Sequence, residues 1–158
     1  MADFRKYGIK QEKGRDYENI AYVMALVYNI CEKRINKFLE EYGLSLSQFN
    51  VLMLLKSMEG EAVNQLEIGR RLIVTQGSIT RLVFKLGQEK LIEVKQNKKN
   101  RRENLVKISK KGEDLLEEIF PKYDEIVKGM IDMIPSENHS VMSKILSDWF
   151  FKLQESED

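Results

Sequence analysis

The sequence predicts a mainly α-helical protein with one small β-hairpin. Only two of its 158 residues are proline, the residue least compatible with helix interiors. Apolar residues recur at steps of three and four along most of the chain, which is the period of a helix that packs on one side. Two short segments between residues 91 and 108 break this period, and the polar, cationic stretch between them predicts a hairpin with a long tip.

The first two predicted helices follow a polar segment. Residues 1–15 mix basic residues with two glycines and show no periodicity, so we expect a flexible basic arm or a loosely docked extension. Apolar positions then recur from Ile20 to Tyr42, and Gly43 ends this first helix. Ser45 and Gln48 have the spacing of a capping box, and the apolar run after them predicts a second helix in the middle of the fold.

The next two predicted helices form a helix-turn-helix. Asn64 and Glu67 repeat the capping spacing at the start of a short third helix. Thr75 caps a fourth helix that ends near Gly87. Two capped helices joined by a brief turn are the pattern of this motif. The side chains expected to be buried are Leu66, Ile68 and Leu72 in the third helix and Ile79, Leu82, Val83 and Leu86 in the fourth.

The hairpin and two long helices complete the predicted fold. Ser109 starts a long helix that contains Pro121, and we expect the proline to bend it. A last helix places its apolar residues on one side between residues 142 and 153. The hairpin strands are predicted at Leu91–Gln96 and Asn104–Ile108, with Ile92 and Val94 facing Val106 and Ile108.

Positive charge is concentrated in the helix-turn-helix and the hairpin. From Asn64 through Lys111 the chain has 13 Lys or Arg against 4 Asp or Glu, a net charge of +9. The remainder has 13 cations against 21 anions, a net charge of −8, and the two parts give the overall charge of +1. A protein that is neutral overall but polarised to this degree has one face suited to phosphate groups.

The outward face of the fourth helix is the predicted reading surface for DNA. Its apolar stripe must pack inward, which leaves polar and cationic residues on the side where such a helix meets base edges. Glutamine can bond to adenine and arginine to guanine, and glycine lets the backbone approach. Taken singly, each residue is also an ordinary residue of a capped, solvated helix. The candidates are Thr75, Gln76, Gly77, Ser78, Thr80, Arg81 and Lys85.

The hairpin tip supplies a second set of candidate DNA contacts. Its cations are expected to contact phosphates or to insert one arginine into a minor groove. The alternative is a solvated edge hairpin, since charge on exposed strands prevents aggregation. The tip residues are Lys98, Lys99, Arg101 and Arg102.

The middle of the chain resembles the MarR family of winged helix-turn-helix transcriptional regulators. The resemblance implies a DNA-binding domain at residues 44–112, flanked by dimerisation helices at 16–43 and 113–155. It also implies a homodimer on a pseudo-palindromic operator, more often a repressor than an activator. The apolar surface of the flanking helices exceeds what one reading head can cover, which independently favours a two-fold partner. The matching motifs are LSLSQFNVL at 44–52, VTQGSITRLV at 74–83, LI at 91–92, NRR at 100–102 and KISKKG at 107–112.

The chain departs from the family pattern at three positions. Phe84 stands where the family usually has an acid in the recognition helix, and it either covers the base of the hairpin or meets a thymine methyl group. Lys90 replaces the glycine that usually ends that helix. Asn100 replaces an acid that commonly braces an arginine, which leaves Glu103 as the carboxylate nearest to the tip arginines.

Members of the family often bind a small aromatic or anionic ligand that weakens DNA binding. The resemblance implies a pocket between the dimer helices and the reading head, although aromatic residues at helical spacing are more often plain core. Cys31 is a second candidate sensor, since some relatives respond to cysteine oxidation, but its apolar neighbours are typical of an inert buried thiol. The candidate ligand-lining residues are Tyr28, Phe38, Tyr42 and Met53.

Other classes of protein find little support in the sequence. It contains no nucleophile–base arrangement, Walker loop or dinucleotide-binding glycine motif, so we expect neither an enzyme nor a cofactor. The single histidine, His139, argues against a histidine-based metal site. The sequence has no apolar run of roughly 18 residues and no secretory signal, and its single cysteine fits a cytoplasmic protein. The competing function is a winged helix that docks a protein, whose binding would depend little on salt.

Overall fold

The structure is a computed structural model that describes residues 4–9, 14–72, 75–98, 100–101 and 103–156. It is mainly helical with one small antiparallel sheet, which confirms the predicted fold class. The chain divides into two compact units, Met1–Phe120 and Pro121–Asp158. Within the described ranges, no helix combines the length and the apolar character needed to cross a membrane.

The first helix ends where the sequence predicts. Helix α1 spans Asp16–Leu39, and a 3-10 turn at Glu40–Tyr42 extends it to Gly43. Gly43 ends the turn because its φ of 71° lies in the left-handed region that glycine adopts without strain. Before α1, a 3-10 turn at Arg5–Tyr7 precedes Ile9, a buried residue within the segment predicted as a flexible basic arm.

Helix α2 spans Leu46–Ser57 and begins with the predicted capping box. The Ser45 hydroxyl accepts a hydrogen bond from the Gln48 N–H (3.2 Å), and Gln48 Oε1 accepts one from the Ser45 N–H (3.0 Å). Asn36 Oδ1 accepts from the Leu46 N–H (2.8 Å), which joins α1 to the start of α2. These bonds satisfy N–H groups that a helix start otherwise leaves free. Helix α2 contacts α1 and α4, the central position that its apolar sequence predicts.

Helices α3 and α4 form the helix-turn-helix pair. Helix α3 spans Gln65–Arg71 and helix α4 spans Gln76–Gln88. Asn64 Oδ1 accepts a hydrogen bond from the Leu66 N–H (2.8 Å) and caps α3, as predicted. The Thr75 side chain caps α4 in the same way. Residues 73–74, between the two helices, lie outside the described ranges.

Two expectations for α3 are wrong. Glu67 pairs with Arg71 one turn along the helix, at 2.8 Å, rather than pairing with the cap residue. Leu66 is 38% exposed, although we expected it to be buried. The reason is its spacing from Ile68, which is fully buried: two residues correspond to about 200° of helix rotation, so the two side chains point to opposite sides.

The predicted hairpin belongs to a three-stranded antiparallel sheet. Strands β2, Ile92–Gln96, and β3, Asn104–Ile108, pair with Ile92 opposite Ile108, as the sequence predicts. A short strand β1, Val63–Asn64, pairs with the other edge of β3, so the strand order is β1-β3-β2. The sequence did not predict β1, because two residues cannot display an alternating pattern. We call residues 92–108, which form β2, β3 and the tip between them, the wing.

The core of the first unit lies under α4 and the sheet. Helix α5, Lys110–Ile131, closes it, and the Ser109 hydroxyl caps this helix by accepting from the Gly112 N–H (3.1 Å). A Cβ atom on Gly112 would lie only 2.2 Å from the Leu91 carbonyl oxygen, so α5 requires glycine there. The least exposed apolar side chains are Leu39, Phe49, Val51, Leu52, Leu55, Ile68, Ile79, Leu86, Val106, Leu116 and Ile119.

The second unit holds the end of α5 and helix α6. Helix α5 continues through Pro121 into this unit, and a 3-10 turn at Ser136–Asn138 precedes α6, His139–Glu155. His139 shares a hydrogen bond with the Ile134 carbonyl oxygen (2.8 Å) at the start of α6. No residue of α6 is buried in the single chain. The bend at Pro121 stays a prediction.

Candidate DNA interface

Helix α4 separates an apolar face from a polar and cationic face. Ile79, Val83 and Leu86 are buried, as their spacing predicts, whereas Leu82, also expected to be buried, is half-buried. Arg81 and Lys85 project from the opposite side and form no ion pair with any residue that the structure describes. Their charges are therefore available to an external anion. The exposed residues of this face are Gly77, Arg81, Phe84, Lys85 and Gln88.

The first turn of α4 is organised by two hydroxyl groups. Thr75 Oγ1 accepts a hydrogen bond from the Ser78 N–H (3.3 Å) and donates one to Ser78 Oγ (2.9 Å). Both hydroxyls therefore fix the start of the helix, which limits the choice of bonds that they can offer to DNA. Gly77 has open space where a side chain would stand. Gln76 begins α4, and its side chain lies outside the described part of the chain.

Thr80 belongs to a hydrogen-bond network that the sequence did not predict. Gln65 Nε2 donates to Thr80 Oγ1 (2.9 Å), and Asn104 Nδ2 donates to Gln65 Oε1 (3.4 Å). The network connects α4, α3 and β3, so Thr80 helps to hold the reading helix against the wing. Gln65 and Asn104 are 39 positions apart in the sequence, and no local pattern connects them.

A depression of about 400 Å³ lies between the start of α2 and one flank of α4. Gln48 lines it and is only 2% exposed. Its Oε1 is held by the capping box, and its Nε2 has no hydrogen-bond partner among the described residues. A buried amide group without a hydrogen-bond partner lowers the stability of the fold. On this flank of α4, the Gln48 Nε2 group is therefore free to donate a hydrogen bond to a bound molecule. The other lining residues are Ser45, Ser47, Ser78, Arg81, Leu82 and Lys85.

The wing presents its cations at the tip. Lys98 and Arg101 are exposed, and neither forms an ion pair with a residue in the described ranges. Gln96 Nε2 donates to the Arg101 carbonyl oxygen (2.8 Å), which fixes the backbone of the tip arginine. The other two predicted tip residues, Lys99 and Arg102, lie outside the described residues.

Glu103 organises the tip through three asparagine side chains. Its Oε2 accepts from Asn64 Nδ2 (2.7 Å) and Asn97 Nδ2 (3.2 Å), and its Oε1 accepts from Asn100 Nδ2 (2.8 Å). Backbone bonds from Asn97 N–H to Glu103 O (2.9 Å) and from Glu103 N–H to Asn100 O (3.0 Å) close the turn. Asn100, where the family usually has an acid, thus donates to this carboxylate. From its position in the sequence, Glu103 is predicted only as a partner for the tip arginines.

Charges on the strands of the wing are partly compensated. Glu93 lies opposite Lys107 and within 3.4 Å of its Nζ, and Lys95 Nζ lies 3.5 Å from the same carboxylate. The hydrogen bond from Lys107 lowers the pKa of Glu93, and Lys95 lowers it further. Lys95 and Lys107 therefore form ion pairs with Glu93, whereas the tip cations Lys98 and Arg101 form none with a described residue.

Lys90 has a left-handed backbone conformation, which glycine adopts without strain. Its φ is 61°, in the left-handed region that is strained for residues with a Cβ atom. The Lys90 N–H bonds to Gly87 O (3.0 Å) and the Leu91 N–H to Leu86 O (3.0 Å), the two bonds of a Schellman helix end. Ser109 Oγ donates to the Lys90 carbonyl oxygen (2.7 Å) and fixes the start of β2 relative to α5.

The candidate ligand-lining residues do not form one cluster. Phe38 is buried and makes an edge-to-face contact with Tyr42, with ring centroids 5.3 Å apart. Tyr28 is 60% exposed. It precedes Phe38 by ten residues in α1, which corresponds to about 15 Å along the helix axis. Met53 is partly exposed on α2. Cys31 is also partly exposed in the single chain, contrary to the buried thiol expected, because its neighbours Val27 and Ile30 are exposed there.

Comparison with known proteins places this interface in a family. Residues 44–104 match the model of the MarR family. The chain is 31% identical over 124 residues to the HTH-type transcriptional regulator MhqR of Bacillus subtilis, covering 78% of this chain and 84% of that protein. It is 25% identical over 160 residues to the HTH-type transcriptional repressor YetL of the same species, covering 97% and 96%. A solved structure of an E. coli MarR mutant complexed with operator DNA has the same fold, with a TM-score of 0.76, 16% identity and coverage of 87% and 98%.

Proposed function

Because the chain belongs to the MarR family of DNA-binding transcriptional regulators, we propose that it is a cytoplasmic repressor that binds a pseudo-palindromic operator as a homodimer. The observation that carries this proposal is the outward face of α4, where Arg81 and Lys85 are exposed and unpaired within the described chain. Repression is supported by the similarity to YetL, a transcriptional repressor.

Helix α4 enters the major groove with its outward face toward the base pairs. Arg81 is at the centre of that face and bonds to a guanine edge, the commonest specific contact of arginine. Gly77 lets the helix backbone approach the DNA. Thr75 and Ser78 preorganise the first turn, and Lys85 lies one turn beyond Arg81 and reaches a base or a phosphate.

The wing contacts the phosphate backbone beside the groove. Lys98 and Arg101 reach outward from a tip that the Glu103 carboxylate holds in one conformation. Lys99 and Arg102 extend this cationic tip in the sequence. Contacts with phosphates supply affinity that does not depend on base sequence, so the wing and α4 have separable roles.

A second copy of the chain covers the apolar surface of the flanking helices. Helix α1 in the first unit and helix α6 in the second each expose large apolar side chains in the single chain, which is typical of interaction sites. Closed two-fold dimers are the commonest solution in soluble proteins. The exposed apolar residues are Tyr17, Ile20, Tyr22, Met24, Val27, Tyr28 and Ile30 on α1, and Val141, Met142, Ile145, Leu146, Trp149, Phe150, Phe151 and Leu153 on α6.

We also propose that the protein binds a small aromatic or anionic ligand and then dissociates from the operator. Tyr42 and Met53 are the partly exposed members of the candidate set, whereas Phe38 is already buried. A ligand changes operator affinity only if it binds the DNA-competent and released conformations with different affinities. Titration of the protein–operator complex with substituted benzoic acids tests this part, and unchanged affinity with every acid would exclude that ligand class.

Operator binding is tested by selecting duplexes from a random library and measuring their affinity over a salt series. We expect the selected duplex to bind at least about 1,000-fold more tightly than a scrambled duplex of the same composition. The logarithm of the affinity should fall linearly with the logarithm of salt concentration, with a slope near −0.9 for each phosphate neutralised. Equal affinity for both duplexes, or no salt dependence, would contradict the proposal and favour a protein-docking module.

A further inference from the structure

We propose that Phe84 recognises the 5-methyl group of a thymine in the operator, which makes it an apolar specificity residue beside the polar contacts of Arg81 and Lys85. The inference rests on the proposed function, because it requires α4 to lie in the major groove. It concerns a residue for which the sequence left two interpretations open: a cover for the base of the wing, or a contact with thymine.

Phe84 is too exposed to be a cover for the wing. Its side chain is 65% exposed, and it lies on the same outward face of α4 as Arg81 and Lys85. A ring that sealed the junction of helix and hairpin would be buried on both faces. The junction is closed instead at Gly87, where a Cβ atom would lie 3.9 Å from Val94 Cγ2. Strand β2 thus approaches α4 one turn beyond Phe84 and leaves the ring uncovered.

Phe84 is part of an apolar surface and is not an isolated exposed residue. Together with Val83, Gly87 and Val94, which is 42% exposed, it lines an open depression of about 440 Å³ on the flank of α4 that faces α3 and the wing. Four polar side chains also line this depression, and the network around Thr80 holds three of them, Gln65, Thr80 and Asn104, in place. The four polar lining residues are Gln65, Thr80, Gln88 and Asn104.

The surroundings of this apolar surface favour DNA as its partner. The segment from Asn64 through Lys111, which contains every lining residue, carries a net charge of +9. Arg81 and Lys85 stand on the same helix face within one turn of Phe84. Cations of this density attract phosphate groups and disfavour an apolar protein partner with a neutral or basic rim. The ring therefore lies where a base edge arrives once neighbouring cations have bound the duplex.

Thymine is the one base that offers an apolar group in the major groove. Its 5-methyl group projects into the groove, whereas the edges of guanine, adenine and cytosine present polar donors and acceptors there. A phenylalanine against any of those edges would leave a donor or acceptor without a partner. Contact between the ring and a methyl group leaves no hydrogen-bonding group of either without a partner, and it buries apolar area on both the protein and the base.

Replacing each thymine of the selected operator with uracil tests this inference, because uracil lacks only the methyl group. We expect wild-type protein to lose about fourfold in affinity when the responsible thymine of one half-site is replaced, and about fifteenfold when both half-sites are changed. Phe84→Ala should bind the thymine and uracil duplexes equally. Phe84→Leu, which keeps an apolar side chain, should retain part of the difference.

The outcomes separate this inference from the proposed function. Wild-type protein that prefers the selected duplex over the scrambled one, yet ignores uracil at every thymine, would overturn the role of Phe84 alone. A thymine preference of equal size in wild type, Phe84→Ala and Phe84→Leu would also overturn it. Wild-type protein without preference for the selected duplex would instead contradict the proposed function. Sedimentation and circular dichroism establish that each variant is folded with an unchanged oligomeric state, and the wild-type uracil series remains decisive if Phe84→Ala does not fold.

Discussion

Arg81 and Arg101 carry the same guanidinium group on different elements, and we expect different effects from removing each. Arg81→Ala should lose about 1–3 kcal/mol of discrimination at one base pair of each half-site, because a bidentate contact with guanine is lost. Arg101→Ala should weaken binding to all duplexes and make the salt slope about 0.9 less steep per protomer, because one phosphate contact is lost. Titration of operators with single base-pair changes over a salt series distinguishes the two. Equal behaviour of both variants on every duplex would contradict the division between reading helix and wing.

Lys90 is a residue whose replacement should stabilise the protein. A residue with a Cβ atom at φ 61° is strained by about 1–2 kcal/mol, and glycine relieves that strain at an entropic cost of about 0.5–1 kcal/mol. We expect Lys90→Gly to raise the free energy of unfolding by up to about 1 kcal/mol in urea denaturation at fixed protein concentration. Glu89→Gly is the matched control, since Glu89 is in the right-handed helical region and glycine there should destabilise. A destabilised Lys90→Gly would show that the Lys90 side chain makes a contact worth more than the strain.

Glu103 holds the tip of the wing, and we expect its removal to destabilise the fold. Glu103→Ala leaves the amides of Asn64, Asn97 and Asn100 without their shared acceptor, at a cost of about 1–3 kcal/mol. Glu103→Gln, which keeps one acceptor oxygen, should lie between wild type and Glu103→Ala. The control is Glu118→Ala, an exposed carboxylate on α5. Thermal unfolding at fixed protein concentration is the measurement, and equal melting temperatures for Glu103→Ala and Glu118→Ala would contradict the role of this carboxylate.

Single residues could be assigned from the sequence where the pattern is local. The spacing of Ile79, Val83 and Leu86 gives the buried face of α4, and the exposed positions of Arg81 and Lys85 follow from it. Bonds between distant positions could not be assigned. Glu103 bonds to Asn64 across 39 positions, and a sequence pattern contains no information on which side chains meet after folding.

At the scale of elements, the start of α5 depends on one close contact. Gly112 brings the helix backbone against the Leu91 carbonyl oxygen, where a Cβ atom would lie 2.2 Å away, and against Ile108 Cγ1 at 2.9 Å. Because backbone cannot yield as a flexible side chain does, Gly112→Ala must shift α5 relative to the wing. We expect it to lower the free energy of unfolding by about 1–3 kcal/mol, the range of overpacked cores.

Gly129 on the same helix is the matched control for this prediction. A Cβ atom there meets nothing within 4 Å. Gly129→Ala should therefore raise the free energy of unfolding by about 0.5–1 kcal/mol, since alanine is the better helix former. Urea denaturation of both variants at equal protein concentration is the measurement. Similar effects of the two substitutions would contradict the close approach at Gly112.

Most elements could be predicted because their ends are chemically marked. Caps at Ser45, Asn64, Thr75 and Ser109 define four helix starts, and Gly43 defines the end of the segment that begins with α1. Strand β1 could not be predicted, because its two residues become a strand only through pairing with β3, about 40 positions later. The sequence also could not predict that Glu67 pairs with Arg71 instead of completing a capping box, because a glutamate at this position can form either interaction.

At the scale of the whole molecule, the apolar surface of α6 should control assembly. Ile145 is 59% exposed in the single chain, and a dimer would bury it. Ile145→Asp should shift the protein from dimer to monomer in sedimentation equilibrium and weaken operator binding by at least about 100-fold, because a buried unpaired carboxylate is strongly unfavourable. Ser147→Asp adds the same charge on the polar side of α6 and should remain dimeric. A wild-type protein that sediments as a monomer, or an unaffected Ile145→Asp, would contradict the homodimer.

Insertion of α4 into the major groove can be measured by 7-deazapurine interference on the selected operator. This substitution removes the N7 acceptor, which a guanine or adenine presents only in the major groove, and leaves base pairing intact. We expect weakened binding at purines in two patches about one helical turn apart, one for each copy of α4. Unchanged binding at every substituted purine would contradict the insertion of α4 into the major groove.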